Sequence, residues 1–297
     1  MAIELSTPGT DDMGGVLDAL RDWQVEGEPM QFHPGDVGWY WRFGAGATAG
    51  RVRCWSRDGR YGAIGVIDEP TVVRLAVSPE DRDDAAFAHA LVADLSDPAR
   101  GVFPAGPVSI ETPPESAVRQ ALTDAGWAVD EAWTGLRRGL ADPVEDPGVR
   151  IEVVGPDRVE DRVAVQRAAF DTSTFTVERW HAMAEGPAYG DARCLVAYDD
   201  QANPVATVTV WSAGPGRPGL LEPLGTHRDH RGRGYGRAIS LAAAAALRDL
   251  GSSSAHVCTP SANAGGVATY LSAGFEAFPE THDLATTLPG RVPGTAR

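Results

Sequence analysis

The run Arg231-Gly232-Arg233-Gly234-Tyr235-Gly236 follows the apolar stretch Leu220–Thr226 and precedes a segment of helical spacing from about Arg237 to Leu250. Those residue types in that order suit an oxyanion. The first N–H groups of a helix have no partner within it and carry the positive end of its dipole. Glycines let the chain turn sharply enough to aim those groups at a ligand. Arg231, Arg233 and Arg237 add charge where phosphate oxygens would sit. A P-loop needs G-x-x-x-x-G-K-[ST], and the chain has no lysine. A dinucleotide fingerprint needs G-x-G-x-x-G, whereas the spacing here is G-x-G-x-G, with no acidic residue closing a strand about twenty residues on. A glycine turn without a ligand is the remaining alternative.

A second segment narrows the choice. After the helix, Ser254–Cys258 reads as a short strand, followed by Asn263-Ala-Gly-Gly-Val-Ala-Thr-Tyr270-Leu-Ser-Ala-Gly274-Phe275. Arg231-x-x-Gly234-x-Gly236 resembles the acyl-CoA pyrophosphate loop of the GNAT acyltransferase superfamily. The second segment resembles that family's N-x-x-A-x-x-L-Y-x-x-x-G-F pattern, with Gly266 in place of the usual alanine and Thr269 in place of leucine. The two segments stand in the family's order, about thirty residues apart.

The resemblance implies an acetyl-CoA-dependent N-acetyltransferase acting on a primary amine by direct attack. Backbone groups of Leu224, Gly225 and Thr226 would pair with the pantetheine arm and polarise the thioester. Gly225 and Pro223 suit a bulged strand that splays from its neighbour. The loop Arg231, Gly232, Arg233, Gly234, Tyr235, Gly236 and Arg237 would hold the pyrophosphate. Tyr270 stands where the family often places the general acid for the departing thiolate; a phenol with a pKa of about 10 is protonated at neutral pH. Its alternative is a helix tyrosine packed on the sheet. Asn263 corresponds to a CoA-arm residue and also suits a helix N-cap. Glu222 stands on the motif strand two and four residues before Leu224 and Thr226, so all three face the same side. There Glu222 could relay the amine proton through water, hold a substrate ammonium, or form a salt bridge. His227 and His230 read as loop or phosphate contacts. The acceptor pocket would come from residues 170–189, with Phe175, Trp180 and Trp211 as aromatic candidates that are equally well core residues. An acyl-CoA-binding regulator without turnover and a protein N-acetyltransferase are the alternative functions.

These residues need an α/β (α+β) scaffold, and the chain offers two tandem GNAT-like domains, each a mixed central sheet flanked by helices. The acidic, proline-rich segment 141–149 reads as a linker between a domain at 1–140 and a catalytic domain at 150–297. Apolar alternation marks strands at 51–55, 61–67, 71–77 and 107–112 in the first half, with helices at 11–25, 83–95 and 115–125 and a pair of strands across 127–140. The second half reads as strands at 150–154, 193–198 and 205–211, helices within 157–183, and then the motif segments with a last strand from Phe275. A gapless overlay sets Leu75–Arg82 on Leu224–Arg231, Asp83 and Asp84 on Gly232 and Arg233, and Phe87 on Gly236. Carboxylates and a phenyl ring would repel and block a phosphate, so the first half reads as a degenerate copy not expected to bind acyl-CoA, with an unrelated α/β domain as the alternative.

Composition bounds the rest. Of 297 residues, 43% are hydrophobic, which excludes wholesale disorder. The net charge of −15 argues against nucleic acid as a partner. Residues 1–148 hold 25 acids and 12 arginines, residues 149–297 hold 16 and 14, so the half with the phosphate-type loop is nearly neutral. No apolar run approaches a membrane span. Cys54, Cys194 and Cys258 are far apart without ligand spacing, which predicts reduced thiols, no metal and a cytoplasmic location. A small-molecule amine is the expected partner, with oligomeric state left open.

Overall fold

The computed structural model describes residues 3–290. The first half runs β1 (Glu4–Ser6), α1 (Met13–Asp22), α2 (Pro34–Tyr40), α3 (Ala45–Arg51), β2 (Val52–Arg57), β3 (Arg60–Glu69), β4 (Val72–Val77), α4 (Ala85–Ser96), β5 (Gly106–Glu111), α5 (Ala117–Asp124) and β6 (Ala128–Gly139). Residues 140–149 carry neither helix nor strand. The second half runs β7 (Arg150–Val153), α6 (Val159–Ala169), α7 (Val177–Ala184), β8 (Ala192–Tyr198), β9 (Pro204–Ser212), β10 (Gly219–Thr226), α8 (Tyr235–Asp249), β11 (Ser254–Pro260), α9 (Ala264–Ser272), β12 (Glu276–Ala277) and β13 (Thr281–Leu288). The mixed sheet flanked by helices is the expected α/β class. The two strands expected within 127–140 are one continuous strand, and α2 and α3 fall where no element was expected.

All thirteen strands form one sheet in the order β1-β2-β3-β4-β5-β13-β6-β11-β10-β9-β8-β7, with β12 beside β6. The middle of that order joins the halves by exchange. β6, the last strand before the linker, pairs antiparallel with β11 from Ser254↔Gly139 to Pro260↔Trp133. In return β13 pairs with β5 from Leu284↔Ile110 to Leu288↔Gly106. Each half's sheet is completed by the other's closing strand, so neither edge at the join is left open to solvent.

Three apolar clusters follow from this layout. One lies mainly in the first half, around Leu75, Phe87, Leu91 and Trp127, and is completed by Leu284 and Leu288 of β13. One lies mainly in the second, around Val208, Leu221, Ile239 and Tyr270, and is completed by Leu136 and Leu140 at the end of the first. The third is shared: Leu17, Val37 and Tyr40 from α1 and α2 bury against Cys194, Tyr198, Trp211 and Leu220 of β8, β9 and β10. Helices of the first half therefore roof one face of the second half's sheet, while α8 and α9 cover the other. No helix among the described residues is long and apolar enough to cross a membrane.

Candidate active site

The site begins with an irregularity in β10. Its antiparallel register with β9 runs Leu220↔Trp211 and Leu221↔Val210, then resumes at Leu224↔Val208. Glu222 and Pro223 therefore stand opposite Thr209 alone, which is a bulge. On the other side β10 pairs in parallel with β11 only at Gly219↔Ala255 and Leu220↔His256. Beyond Leu220 the two strands diverge, and the edge of Leu224, Gly225 and Thr226 facing β11 has no strand partner. The expected splay is present. The bulge also changes which face each residue occupies. Leu224 packs with Leu221 in the cluster under α8, whereas the charges that act on Glu222 belong to the opposite, roofed face. The expectation that Glu222, Leu224 and Thr226 share a face assumes a regular strand, and the extra residue breaks that phase. Gly225 faces the end of α6, where an added Cβ would come 2.6 Å from Ala169 Cβ.

The loop after β10 turns on two left-handed glycines, Gly232 at φ +75° and Gly234 at φ +86°, a region costly for other L-residues. Gly234 caps α8 and offers no side chain to its amides. The first helical bond is Ala238 N–H to Gly234 O at 3.0 Å, so the N–H groups of Tyr235, Gly236 and Arg237 precede any acceptor within the helix. Gly236 sits where a Cβ would come 2.9 Å from Thr269 Cγ2, which lets α8 lie against α9. The arginines are placed differently from one another. Arg231 Nη2 donates to Ala169 O at 2.8 Å and Arg228 Nε to Ala168 O at 2.8 Å, both at the C-terminal end of α6. Arg237 Nε donates to Ser272 O at 2.9 Å. Arg233 is exposed and makes no ion pair among the described residues. His227 accepts from Asp229 N–H through Nδ1 at 3.2 Å and so shapes the loop. Its ring meets His230 edge-on at 5.2 Å.

Tyr270 lies on α9, 7% exposed, with its ring 5.8 Å from that of Phe275. Its hydroxyl makes no hydrogen bond among the described residues. Burial first, then the charges of Glu222 and Cys258, push the phenol well above its ordinary value, so it stays protonated. Glu222 is partly open at the surface, yet its carboxyl is enclosed by protein and makes no ion pair among the described residues. Burial and the carboxylate of Asp36 push it up to about 7, against the opposing pull of Arg74. A carboxyl poised there can both take and give a proton near neutrality. Asn263 caps α9: its Oδ1 accepts from Gly266 N–H at 3.1 Å, and its Nδ2 donates to Thr259 Oγ1 at 2.9 Å. That cap accounts for Gly266, where a Cβ would come 2.5 Å from the Asn263 amide nitrogen.

The opposite wall comes from the first half and is absent from the sequence expectation. The α2 backbone lies directly on the Trp211 ring, and a Cβ at either Gly35 or Gly38 would overlap that indole. Trp211 Nε1 donates to Glu222 O at 2.7 Å, so the indole holds the bulge that carries the carboxyl. His33 caps α2 by accepting from Gly35 N–H through Nδ1 at 2.9 Å, which leaves Nε2 to donate to Pro218 O at 3.3 Å. Burial holds this imidazole down to about 3, so it is neutral. Asp36 bonds Arg74 at 2.7 Å, and Arg74 bonds Glu111 at 2.6 Å. Burial pushes the Asp36 carboxyl above its ordinary value, and the permanent charge of the Arg74 guanidinium bonded to it opposes that shift. Tyr40 donates to Asp68. The glycines and aromatics of Pro34–Phe43 were the available sequence signal, but no periodicity marks them. The aromatic candidates Phe175, Trp180 and Trp211 are all buried in the shared cluster, and Trp211 supports the site from beneath.

The corresponding end of β4 is closed. Asp84 caps α4, its Oδ1 accepting from Phe87 N–H at 2.9 Å and its Oδ2 bonding Arg57 at 2.8 Å. The cap-to-cap match is therefore Asp84 to Gly234, one residue from the gapless overlay, because the loop at 78–84 is one residue shorter than that at 227–234. Among the described residues no group of three or more His, Cys, Asp or Glu side chains is placed to hold a metal.

Known proteins resemble this chain in sequence profile and in fold. The sequence profile of the acetyltransferase (GNAT) family matches residues 160–275. No curated protein matches the chain. A tandem GNAT protein from the clavulanic acid biosynthesis pathway, solved without acetyl-CoA, superposes with a TM-score of 0.64 at 17% identity, covering 98% of this chain and 100% of that one. A GNAT-family acetyltransferase from Colwellia psychrerythraea gives 0.59 at 14% identity, covering 97% and 100%. A GCN5-related N-acetyltransferase from Sphaerobacter thermophilus gives 0.57 at 18% identity, covering 97% and 96%. At such identities the structural likeness speaks for the fold. Residues 160–275 form a domain of the acetyltransferase (GNAT) family, whose members transfer an acyl group from acyl-CoA to an amine, in a chain folded as a tandem GNAT protein.

Proposed function

We propose that the second half transfers an acetyl group from acetyl-CoA to a primary amine of a small molecule by direct attack. The observation that carries this reading is the opening between β10 and β11, which lies beside the uncapped start of α8 and within reach of Glu222 and Tyr270. The residues fit the co-substrate. The free N–H groups of Tyr235, Gly236 and Arg237 suit a pyrophosphate, with Arg233 adding an unpaired charge at the surface. The unpaired edge of Leu224–Thr226 suits the amide-bearing pantetheine arm. Acetyl-CoA supplies the activated acyl group.

Glu222, ionised above about pH 7, accepts a proton from the acceptor nitrogen as that nitrogen bonds the carbonyl carbon. Tyr270 donates its proton to the sulfur as the carbon–sulfur bond breaks. The α2 roof over the acceptor side favours a small amine over an extended protein segment. Free-thiol release from acetyl-CoA across an amine panel tests the reading. Turnover is expected with the wild type and loss with Glu222→Gln and Tyr270→Phe. Unchanged rates in both variants would remove the assigned roles, and failure to bind acetyl-CoA in calorimetry would remove the reaction itself.

A further inference from the structure

The groups around Glu222 divide by whether their charge is already matched. Asp36 and Glu111 are both held by Arg74, and Asp68 accepts from Tyr40. The nearby carboxylates of the first half thus all have partners. The guanidinium group of Arg42, which acts on Glu222, and that of Arg179 beside it do not: neither forms an ion pair among the described residues, in a chain with 41 acidic residues and only 26 basic ones.

Arg42 follows α2 in the short turn Trp41–Phe43. Its guanidinium carbon stands 3.9 Å from the centroid of the Trp39 ring and 4.3 Å from that of Phe43. Only one of its hydrogen bonds is internal, from Nη1 to Trp39 O at 2.6 Å. Arg179 comes from α7 of the other half, which packs on that same turn, and its guanidinium carbon is 5.0 Å from the centroid of Phe43. Its internal bonds go to the Thr174 carbonyl, at 2.7 Å, and to the Thr174 hydroxyl.

Stacking on aromatic faces leaves the edges of both forks free to donate. Two cations drawn together without a counter-charge repel each other. Arg42 registers this: burial, and to a lesser degree Arg179, bring its pKa down to about 10, while the Glu222 carboxylate acts in the opposite sense. Phe43 itself is 38% exposed, so the pair borders solvent. Among the described residues, the Glu222 carboxyl thus stands without a partner, and so do the guanidinium groups of Arg42 and Arg179 gathered on Phe43, one from each half; Arg51, 5.6 Å from the same ring, is tied to the Ile67 and Asp68 carbonyls.

We propose that Arg42 and Arg179 form the anion end of the acceptor site, so that the acceptor is an amine that also carries a carboxylate or phosphate group. The proposal rests on acyl transfer at Glu222. It gives the first half a direct part in substrate choice, although that half has closed its own anion site.

The full-length protein is assayed by free-thiol release from acetyl-CoA with amines in matched pairs: phosphoethanolamine against ethanolamine, tyrosine against tyramine, lysine against cadaverine. The anionic member of at least one pair is expected to show a kcat/KM about tenfold or more above its partner, the gain of one charge-assisted contact. Arg42→Gln and Arg179→Gln, made separately and checked by thermal melting, are each expected to erase that preference through the KM of the anionic acceptor. Equal or better use of the uncharged member in every pair overturns the proposal, as does a preference that survives both substitutions. If no pair is turned over, the same pairs are titrated calorimetrically into protein saturated with CoA. Binding of an anionic member that each substitution weakens about tenfold supports the proposal, and no difference within any pair overturns it. A protein that fails to bind acetyl-CoA refutes the acyl-transfer reading, and the titration in its absence still decides the anion site.

Discussion

The chain contains two strand–loop–helix units of one design, β4 through α4 and β10 through α8, and they treat the start of their helix in opposite ways. At α4 the positive end meets a carboxylate already in the chain: Asp84 accepts from Phe87 N–H and bonds Arg57. Beside it, Ser78 donates to Asp81 at 2.6 Å and Asp81 pairs with Arg60 at 2.8 Å. The strand end is sealed as well, since Leu75, Ala76 and Val77 are fully buried. At α8 the cap is a glycine, the amides are free, and β10 carries a bulge at Glu222 and Pro223, with Glu222, Leu224 and Thr226 half-buried. The same strand–loop–helix unit can thus leave the start of its helix open or close it from within, with no change of fold. It is enough to supply the anion internally, because the helix dipole and its orphan amides are satisfied equally well by a resident carboxylate.

The first half's closed helix start can be carried into the second half by one substitution. Gly234→Asp places a carboxylate at the start of α8 and forces a non-glycine residue to φ +86°. Affinity for acetyl-CoA in calorimetry is expected to fall at least about 100-fold, roughly 2.7 kcal/mol. Affinity retained within about threefold would show that α8 does not receive the pyrophosphate. The bulge is tested next. Glu222→Gln is expected to lower kcat about 100-fold, the usual loss for a general base. The wild-type rate should rise with pH through about 7 as Glu222 ionises, and the variant should lack that rise. Stability moves the other way. A carboxyl whose folded pKa is raised contributes stability that is complete below the ordinary glutamate value and lost as pH rises through about 7. Denaturant unfolding should therefore show Glu222→Gln gaining on the wild type between those limits, by at most about 3 kcal/mol and less to the extent that solvent screens the group.

The parts legible in the sequence are those set by neighbours along the chain. The turn at Gly232 and Gly234 needs left-handed backbone, and the residues say so. The cap at Asn263 and the alternating strands follow from local rules, and the bulge at Pro223 was signalled by proline and glycine inside a strand. The rest depends on partners distant in sequence. Alternation in 128–139 marks a strand but does not name β11 as its neighbour, so the exchange between halves was hidden. The α2 helix contains Gly35 and Gly38, poor helix formers that are present because Trp211 lies against them. Arginine spacing indicated a phosphate grip for the whole loop, yet Arg231 is spent on the Ala169 carbonyl. The shared face of Glu222, Leu224 and Thr226 failed because one inserted residue shifts the phase of a strand.

Tyr270→Phe removes a hydroxyl with no hydrogen bond among the described residues, so stability should change by no more than about 0.5 kcal/mol. A role in protonating the sulfur predicts a fall in kcat of about tenfold or more with the KM for acetyl-CoA unchanged. A hydroxyl that only fills space would leave kcat alone.

The last test concerns the resident carboxylate itself. Asp84→Ala removes the cap of α4 and the partner of Arg57, and a loss of about 1 kcal/mol is expected in urea unfolding. The bond from Phe87 N–H, and then Arg57, hold the Asp84 carboxyl below its ordinary value. A depressed carboxyl contributes stability above its unfolded pKa and loses it as pH falls through the folded one. The difference between variant and wild type should therefore be full at pH 7 and shrink in strong acid. Acetyl-CoA turnover should be unaltered, because α4 lies in the half whose anion site is already filled. A variant that instead gained a second acetyl-CoA equivalent in calorimetry would show that Asp84 alone keeps the first half closed. A variant that lost turnover at unchanged stability would show that the two units are coupled through β6 and β13, the strands the halves exchange.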